Sequence, residues 1–424
     1  SAQRLAAHTS RHPNYALAFC LTSPVLLLGI QDTWMIDLGF VALSTAAVAC
    51  YREALLVRGE THSRKLMAAG VFLGLAASYK YPALMLVLLF AGHLKKLGLL
   101  RQSLTLWVGF LSVFGAIQAY LALQYGELHL VAALQSASEI DRSPLTERSA
   151  GMLVRFGFAL SPLALLASTQ LARTIPIGLA LGAVSLVLIG QGDLSLAQQA
   201  LLFLLASAGG AFVGRAISAI WNHSSRPRQG DREDGLLLGG WVLLVLVSIV
   251  IGHNHADARY LLPAVLPMSL LLTRSAARVA GGKRTLQLAG YSWAAVALLT
   301  AMADYRLAQN TQALAEKMVQ ENPPGRFSAE WTARWTLERG GWQFWHPSET
   351  LTPGDRVLLF SNAGSASPPP NSTLIETHSA ASRFPIRTLD WQTDAGYHSE
   401  QLGRLPITWS NGPLTEALVY EVSE

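Results

Sequence analysis

The stretch Gly70–Phe90, GVFLGLAASYKYPALMLVLLF, decides how the chain is read. Two apolar runs meet at SYKYP, Ser78 to Pro82. The surrounding segment Leu66–His93 is bounded by Arg64 and Lys65 on one side and by Lys95 and Lys96 on the other. Cationic loops resist translocation across a bilayer, so both flanks belong on the cytoplasmic side. SYKYP then becomes the outer apex of a tight helical hairpin. Pro82 suits the start of the returning helix, because a first-turn residue has no amide hydrogen bond to lose.

Apolar runs of this kind recur up to about Tyr305, cut by polar residues or by Gly and Pro. They are read at about 15–30, 34–50, 66–79, 82–93, 104–123, 151–169, 176–192, 197–220, 235–252 and 260–273, with an eleventh at 286–304. Apolar residues make up 51% of the 424 residues against 14% charged, and mean hydropathy is +0.32. That balance excludes an ordinary soluble domain. No repeat at a fixed period is visible.

The net charge of +5 hides a split. Residues 1–305 hold 23 Lys and Arg against 14 Asp and Glu, whereas residues 306–424 hold 9 against 13. With a cytoplasmic N-terminus, eighteen of the 23 cations fall on inner segments. Five, Lys80, Arg142, Arg148, Arg155 and Arg259, fall on outer ones. The basic excess therefore reports topology rather than nucleic-acid binding. Cys20 and Cys50 both sit in apolar runs and act as small apolar residues, leaving the tail without an internal disulfide.

The predicted architecture is an all-α polytopic membrane domain of about ten to eleven helices over residues 1–305. A small extracytoplasmic α/β domain follows over residues 306–424. Its signals are a helix pattern at Arg306–Asn322 stopped by Pro323-Pro324-Gly325, then strand-like runs at Arg356–Phe360, Thr373–His378 and Glu416–Val422. The tail holds six of the eleven tryptophans, for which core packing is a commoner use than stacking on sugar rings. The outer loop Tyr125–Gly151 suggests an interfacial helix, and Asn222–Gly235 reads as a hydrophilic, mobile linker. Gly209-Gly210 and Gly239-Gly240 read as close helix contacts rather than phosphate cradles.

The topology gathers unusual polar groups on one face. Asp32 fits a turn or helix cap before Trp34, whereas Asp37 lies one turn into an apolar helix and needs a polar cavity or a partner there. Lys80 either snorkels to the interface or meets an anionic ligand as a point charge. In HNHADARY, His253 to Tyr260, the bland reading is a solvated loop. His253, His255 and Asp257 share a face only in an extended segment, where they could ligate a metal. Arg259 can grip a phosphate bidentately while Tyr260 adds a hydrogen bond. Charge beside the apolar run that follows makes sense if the ligand is a phosphate carried on a lipid.

Four stretches together resemble the GT-C type polytopic glycosyltransferases, in the dolichyl-phosphate-mannose mannosyltransferase and aminoarabinose transferase branch (glycosyltransferase family 39-like). They are SPVLLLGIQDTWMIDLGFVAL, GVFLGLAASYKYPALMLV, HADARYLLPAVLP and the polar tail. The resemblance implies transfer of a sugar from a polyprenyl-phosphate donor to a glycan, lipid or protein acceptor on the outer face of the plasma (inner) membrane. Lys80, Arg259, Tyr260, His253 and His255 would hold the lipid phosphate. Asp37 matches the family's second outer-loop acid and supports the site. No cofactor is implied, and the use of a divalent metal ion stays open.

Such transferases carry the principal catalytic aspartate in a long first outer loop, before a helix that returns inward, and this chain starts after that helix. The expectation is that two further spans precede Ser1, the alternatives being recruitment of Asp32 or an inactive chain. Three rival readings remain: a transporter or flippase of polyprenyl-linked sugars, a ligase or polymerase of surface polysaccharide, and a non-catalytic subunit of an envelope complex. The missing internal repeat and the large tail weigh against a carrier.

Overall fold

The computed structural model describes residues 3, 13–21, 23, 25, 36–139, 143–161, 174–190, 192, 194–221, 229–253, 256–276, 282–329, 331–361, 367–397 and 403–423. The chain divides into two compact units, residues 1–297 and 298–424.

The first unit is helical. Its described helices are α1 (Pro13–Leu21), α2 (Ile36–Ala54), α3 (Glu60–Tyr79), α4 (Ala83–Lys96), α5 (Leu100–Tyr125), α6 (His129–Glu139), α7 (Leu145–Leu160), α8 (Ile175–Ile189), α9 (Leu196–Trp221), α10 (Gln229–Gly252) and α11 (Leu262–Ala276). Helix α12 (Gly282–Glu321) begins in this unit and ends in the second. Among the described residues, α5, α9, residues 234–252 of α10 and residues 283–321 of α12 are each long and apolar enough to cross a membrane unaided. Helix surfaces also expose large apolar side chains, among them Leu88, Leu104, Leu111, Val187 and Leu204, a distribution suited to lipid and not to water. The protein is a helical membrane protein with a small sheet-containing C-terminal unit.

Without a hydrophobic drive inside lipid, helices associate where small side chains let backbones meet. A Cβ on Gly157 of α7 would stand 1.8 Å from the Leu205 carbonyl oxygen of α9, and one on Gly209 would stand 2.1 Å from that of Leu153. Gly239 of α10 faces the Ala216 carbonyl in the same way, at 2.6 Å. The glycine pairs are close helix contacts, as the sequence suggested.

Two sequence readings change. The hydrophilic run Asn222–Gly235 is not all linker, because α10 starts at Gln229. There Asp234 is buried between Arg52 (Nε to Oδ1, 2.7 Å) and Arg274 (Nη1 to Oδ2, 3.1 Å). This charge triad ties the end of α2 to the start of α10 and the end of α11. Arg155, expected on an outer segment, stands well inside α7 and is wholly buried. The helix begins at Leu145, ahead of the apolar run, and neighbouring helices cover it.

The second unit is a mixed five-stranded sheet of order β2-β1-β3-β9-β4. The strands are β1 (Arg326–Ser328), β2 (Gln343–Phe344), β3 (Arg356–Phe360), β4 (Ser372–Ala381) and β9 (Pro413–Val422), while the short strands β5 (Ile386–Arg387) with β8 (Thr408–Trp409), and β6 (Leu389–Asp390) with β7 (Ala395–Gly396), form two further two-stranded sheets. Strands β1, β2 and β3 run parallel, and β9 lies antiparallel between β3 and β4. Between β1 and β2 comes α13 (Trp331–Arg339), a helix the sequence reading missed. Leu314 and Met318 of α12, Leu337 of α13, Trp342 and Phe360 form its main core. Trp345 packs with Val357 and Leu359 in a second cluster. The expected tail helix proves to be the end of α12, and the three expected strands are β3, β4 and β9.

Candidate functional site

The apex SYKYP forms as its residues require. Helix α3 ends at Tyr79, Lys80 takes an extended conformation, and its N–H still reaches the Ala76 carbonyl at 2.9 Å. Pro82 caps α4. The Tyr79 ring covers Gly39, two residues past Asp37, so closely that a Cβ there would meet Cε1 at 2.8 Å. Gly39 leaves room for that ring, and the first turns of α2 lie against the apex there.

The second half of the site comes from the turn between α10 and α11. Asp257, 1% exposed, caps a 3-10 turn at Ala258–Leu261, where its Oδ1 accepts the Arg259 N–H at 2.9 Å. Its Oδ2 lies 2.5 Å from Arg259 Nε. This carboxylate therefore fixes both the backbone and the guanidinium of Arg259. Asp257 is thereby engaged with Arg259, and His255, the third member of the metal-ligating reading, lies outside the described residues.

The two halves meet at Tyr260. The His253 ring stacks on it with centroids 4.0 Å apart and planes 24° from parallel. Lys80 Nζ lies 4.7 Å from the Tyr260 ring centre and Arg259 Cζ 5.2 Å from it. Arg259 Nη2 also donates to the Tyr260 hydroxyl at 3.4 Å. A cation over an aromatic face gains roughly 0.5–2 kcal/mol, more as water is excluded, so one ring draws two cations together. Lys80, His253 and Tyr260 line a shallow recess whose other walls include Phe40, Val245, Ile249 and Pro263. Cations at an apolar recess suit an amphipathic anion.

Of the residues named from sequence, Lys80, His253, Arg259 and Tyr260 are together. Asp37 stands in the first turn of α2, one turn before Phe40, which lines the recess. Asp32 and His255 lie outside the described residues. Sequence reasoning missed Arg148 as a structural partner. Buried in α7, it donates through Nη1 to the carbonyl oxygens of Val250 and His253, and through Nε to that of Ser143. The available signal was an arginine immediately before an apolar run.

The sequence matches no protein-family model and no curated protein. Among solved structures, it is similar to the crystal structure of ArnT from Cupriavidus metallidurans in the apo state. The two share 14% identity, over 80% of this chain and 67% of that one, with a TM-score of 0.34. A likeness this distant assigns no role to any residue.

Proposed function

We propose that this membrane protein transfers a sugar from a polyprenyl-phosphate-linked donor to an acceptor on the extracytoplasmic face. The observation that carries the reading is the approach of Lys80 and Arg259 to one ring, Tyr260, beside a recess with apolar walls. A phosphate is already a competent leaving group. The enzyme must then supply cations for the charge that develops on it, and a carboxylate to take the acceptor hydroxyl's proton. Lys80 and Arg259 have the first role, with His253 and Tyr260 shaping their position. Asp37, with Asp32 and His255, belongs to the acidic and polar remainder of the site. The cationic residues favour an inner-membrane orientation with the N-terminus cytoplasmic and the tail outside.

The test offers labelled polyprenyl-phosphate sugars and a cell-envelope extract as acceptor to the full-length protein in liposomes. Lys80→Ala and Arg259→Ala should each lower turnover on the order of 10², the scale of losing one preorganised partner of the developing charge. Transfer that is unchanged in both variants and in Asp37→Asn would reject the assignment.

A further inference from the structure

Strand β4 is the outermost strand of the sheet, ten residues long, with a second edge that pairs with no strand among the described residues. Such an edge presents unpaired N–H and C=O groups, and proteins usually blunt it with Lys, Pro or brevity. STLIETHSAA has none of these, and Leu374 and Ile375 are 46% and 40% exposed. Two irregularities, between Leu374 and Glu376 and between Ala380 and Ala381, leave Glu376 to Ala380 in regular register with β9.

The backbone direction along β4 follows from β9. Ser361 donates to the Glu416 carbonyl and Val422 to that of Asp355, so the even-numbered residues of β9 turn their polar groups toward β3. Ala417 and Val419 therefore bond to β4, opposite His378 and Glu376. Because direction alternates along a strand, Thr377 and Ser379 aim their N–H and C=O outward.

We infer that β4 is a homotypic docking edge, on which a second copy of this chain pairs antiparallel about a two-fold axis at Thr377. In this register Thr377 faces its twin as a hydrogen-bonded pair. Glu376 of each copy lies opposite His378 of the other in the close, non-hydrogen-bonded position. A carboxylate meets an imidazole twice, so the edge is complementary to itself, as a two-fold contact requires. Within one strand the same two side chains already lie 3.1 Å apart, so both are oriented on one face before a partner arrives.

The test is disulfide cross-linking of the full chain in membranes, with Cys20 and Cys50 replaced by alanine. Thr377→Cys should give a dimer on mild oxidation. Thr373→Cys should stay monomeric, because its twin would lie roughly 26 Å along the strand at about 3.3 Å per residue. In the Thr377→Cys background, E376K should cut the dimer yield at least about fivefold by removing both carboxylates that meet the imidazoles, and E376K with H378E should restore it by setting a carboxylate opposite each ammonium. A monomeric Thr377→Cys, equal cross-linking at Thr373→Cys, adducts with another protein alone, or no rescue by the charge swap would each overturn the inference.

Discussion

Arg148 holds the segment that carries His253: one guanidinium nitrogen donates to the carbonyl oxygens of Val250 and of His253 itself, each at 2.6 Å. The end of a helix leaves its last carbonyls without intrahelical partners, and a cation there also opposes the helix dipole. The stacking of His253 on Tyr260, and with it the position of the two cations, depends on a residue from a different helix.

Arg148→Ala should therefore destabilise the protein by about 1–3 kcal/mol for each carbonyl left buried without a donor. Thermal unfolding in detergent reads this as a lowered midpoint. Lys80→Ala, which leaves no buried carbonyl without its donor, should leave that midpoint nearly unchanged. Equal midpoints for wild type and Arg148→Ala would show that the carbonyls find other partners.

Tyr260→Phe and Tyr260→Leu separate the ring from its hydroxyl. Phenylalanine keeps the face that draws Lys80 and Arg259 and loses only a long hydrogen bond of 3.4 Å. Leucine removes the face and about 0.5–2 kcal/mol for each cation. Binding of a labelled polyprenyl phosphate should fall little in the first variant and about tenfold or more in the second. The reverse order would mean that the hydroxyl is the recognition element.

In the charge triad, Asp234→Asn leaves Arg52 and Arg274 buried without their carboxylate. Removing one partner of a buried pair costs about 3–5 kcal/mol. Arg274→Leu should cost less, since Arg52 and Asp234 still neutralise each other. Chemical denaturation comparing the two variants checks the ranking, and a milder loss in Asp234→Asn would refute it.

The turn before β3 supplies a pH effect. The Asp355 carboxylate accepts from the Thr352 N–H at 2.8 Å and from its hydroxyl at 2.9 Å, and these bonds hold its pKa below the ordinary 3.8. A pKa depressed by folding means stability present above about pH 4 and lost as pH falls through the lower folded value. Hydrogen exchange at the turn should therefore be faster in Asp355→Asn than in wild type at pH 7, with the difference closing toward pH 3. A gap that persists at low pH would assign the effect to something other than ionisation.

Much of the fold was legible because membrane spans write their own boundaries. SYKYP between two apolar runs, with basic residues on both flanks, gave the α3–α4 hairpin. The glycine pairs at Gly209 and Gly239 gave helix contacts, since nothing larger fits against a neighbouring carbonyl. At the site, Lys80, Arg259 and Tyr260 stood out as polar groups at the ends of apolar runs. The sequence could not show that Tyr260 is the ring on which they meet, because that contact joins segments far apart in the chain. Asp234 was hidden by its hydrophilic surroundings, and its burial comes from Arg52 and Arg274, distant in sequence. Helix α13 was missed because WTARWTLER is short and strongly polar.

The pairing of Arg52 with Asp234 also bears on how the polypeptide is made. Arg52 leaves the ribosome long before Asp234 and Arg274, so α2 enters the bilayer before the carboxylate that its terminal guanidinium meets in the folded protein has been made. A charge in that state stays with water at the membrane boundary. Closure of the helix bundle at this end therefore waits for α10 to be translated, and biogenesis acquires a fixed order from one carboxylate.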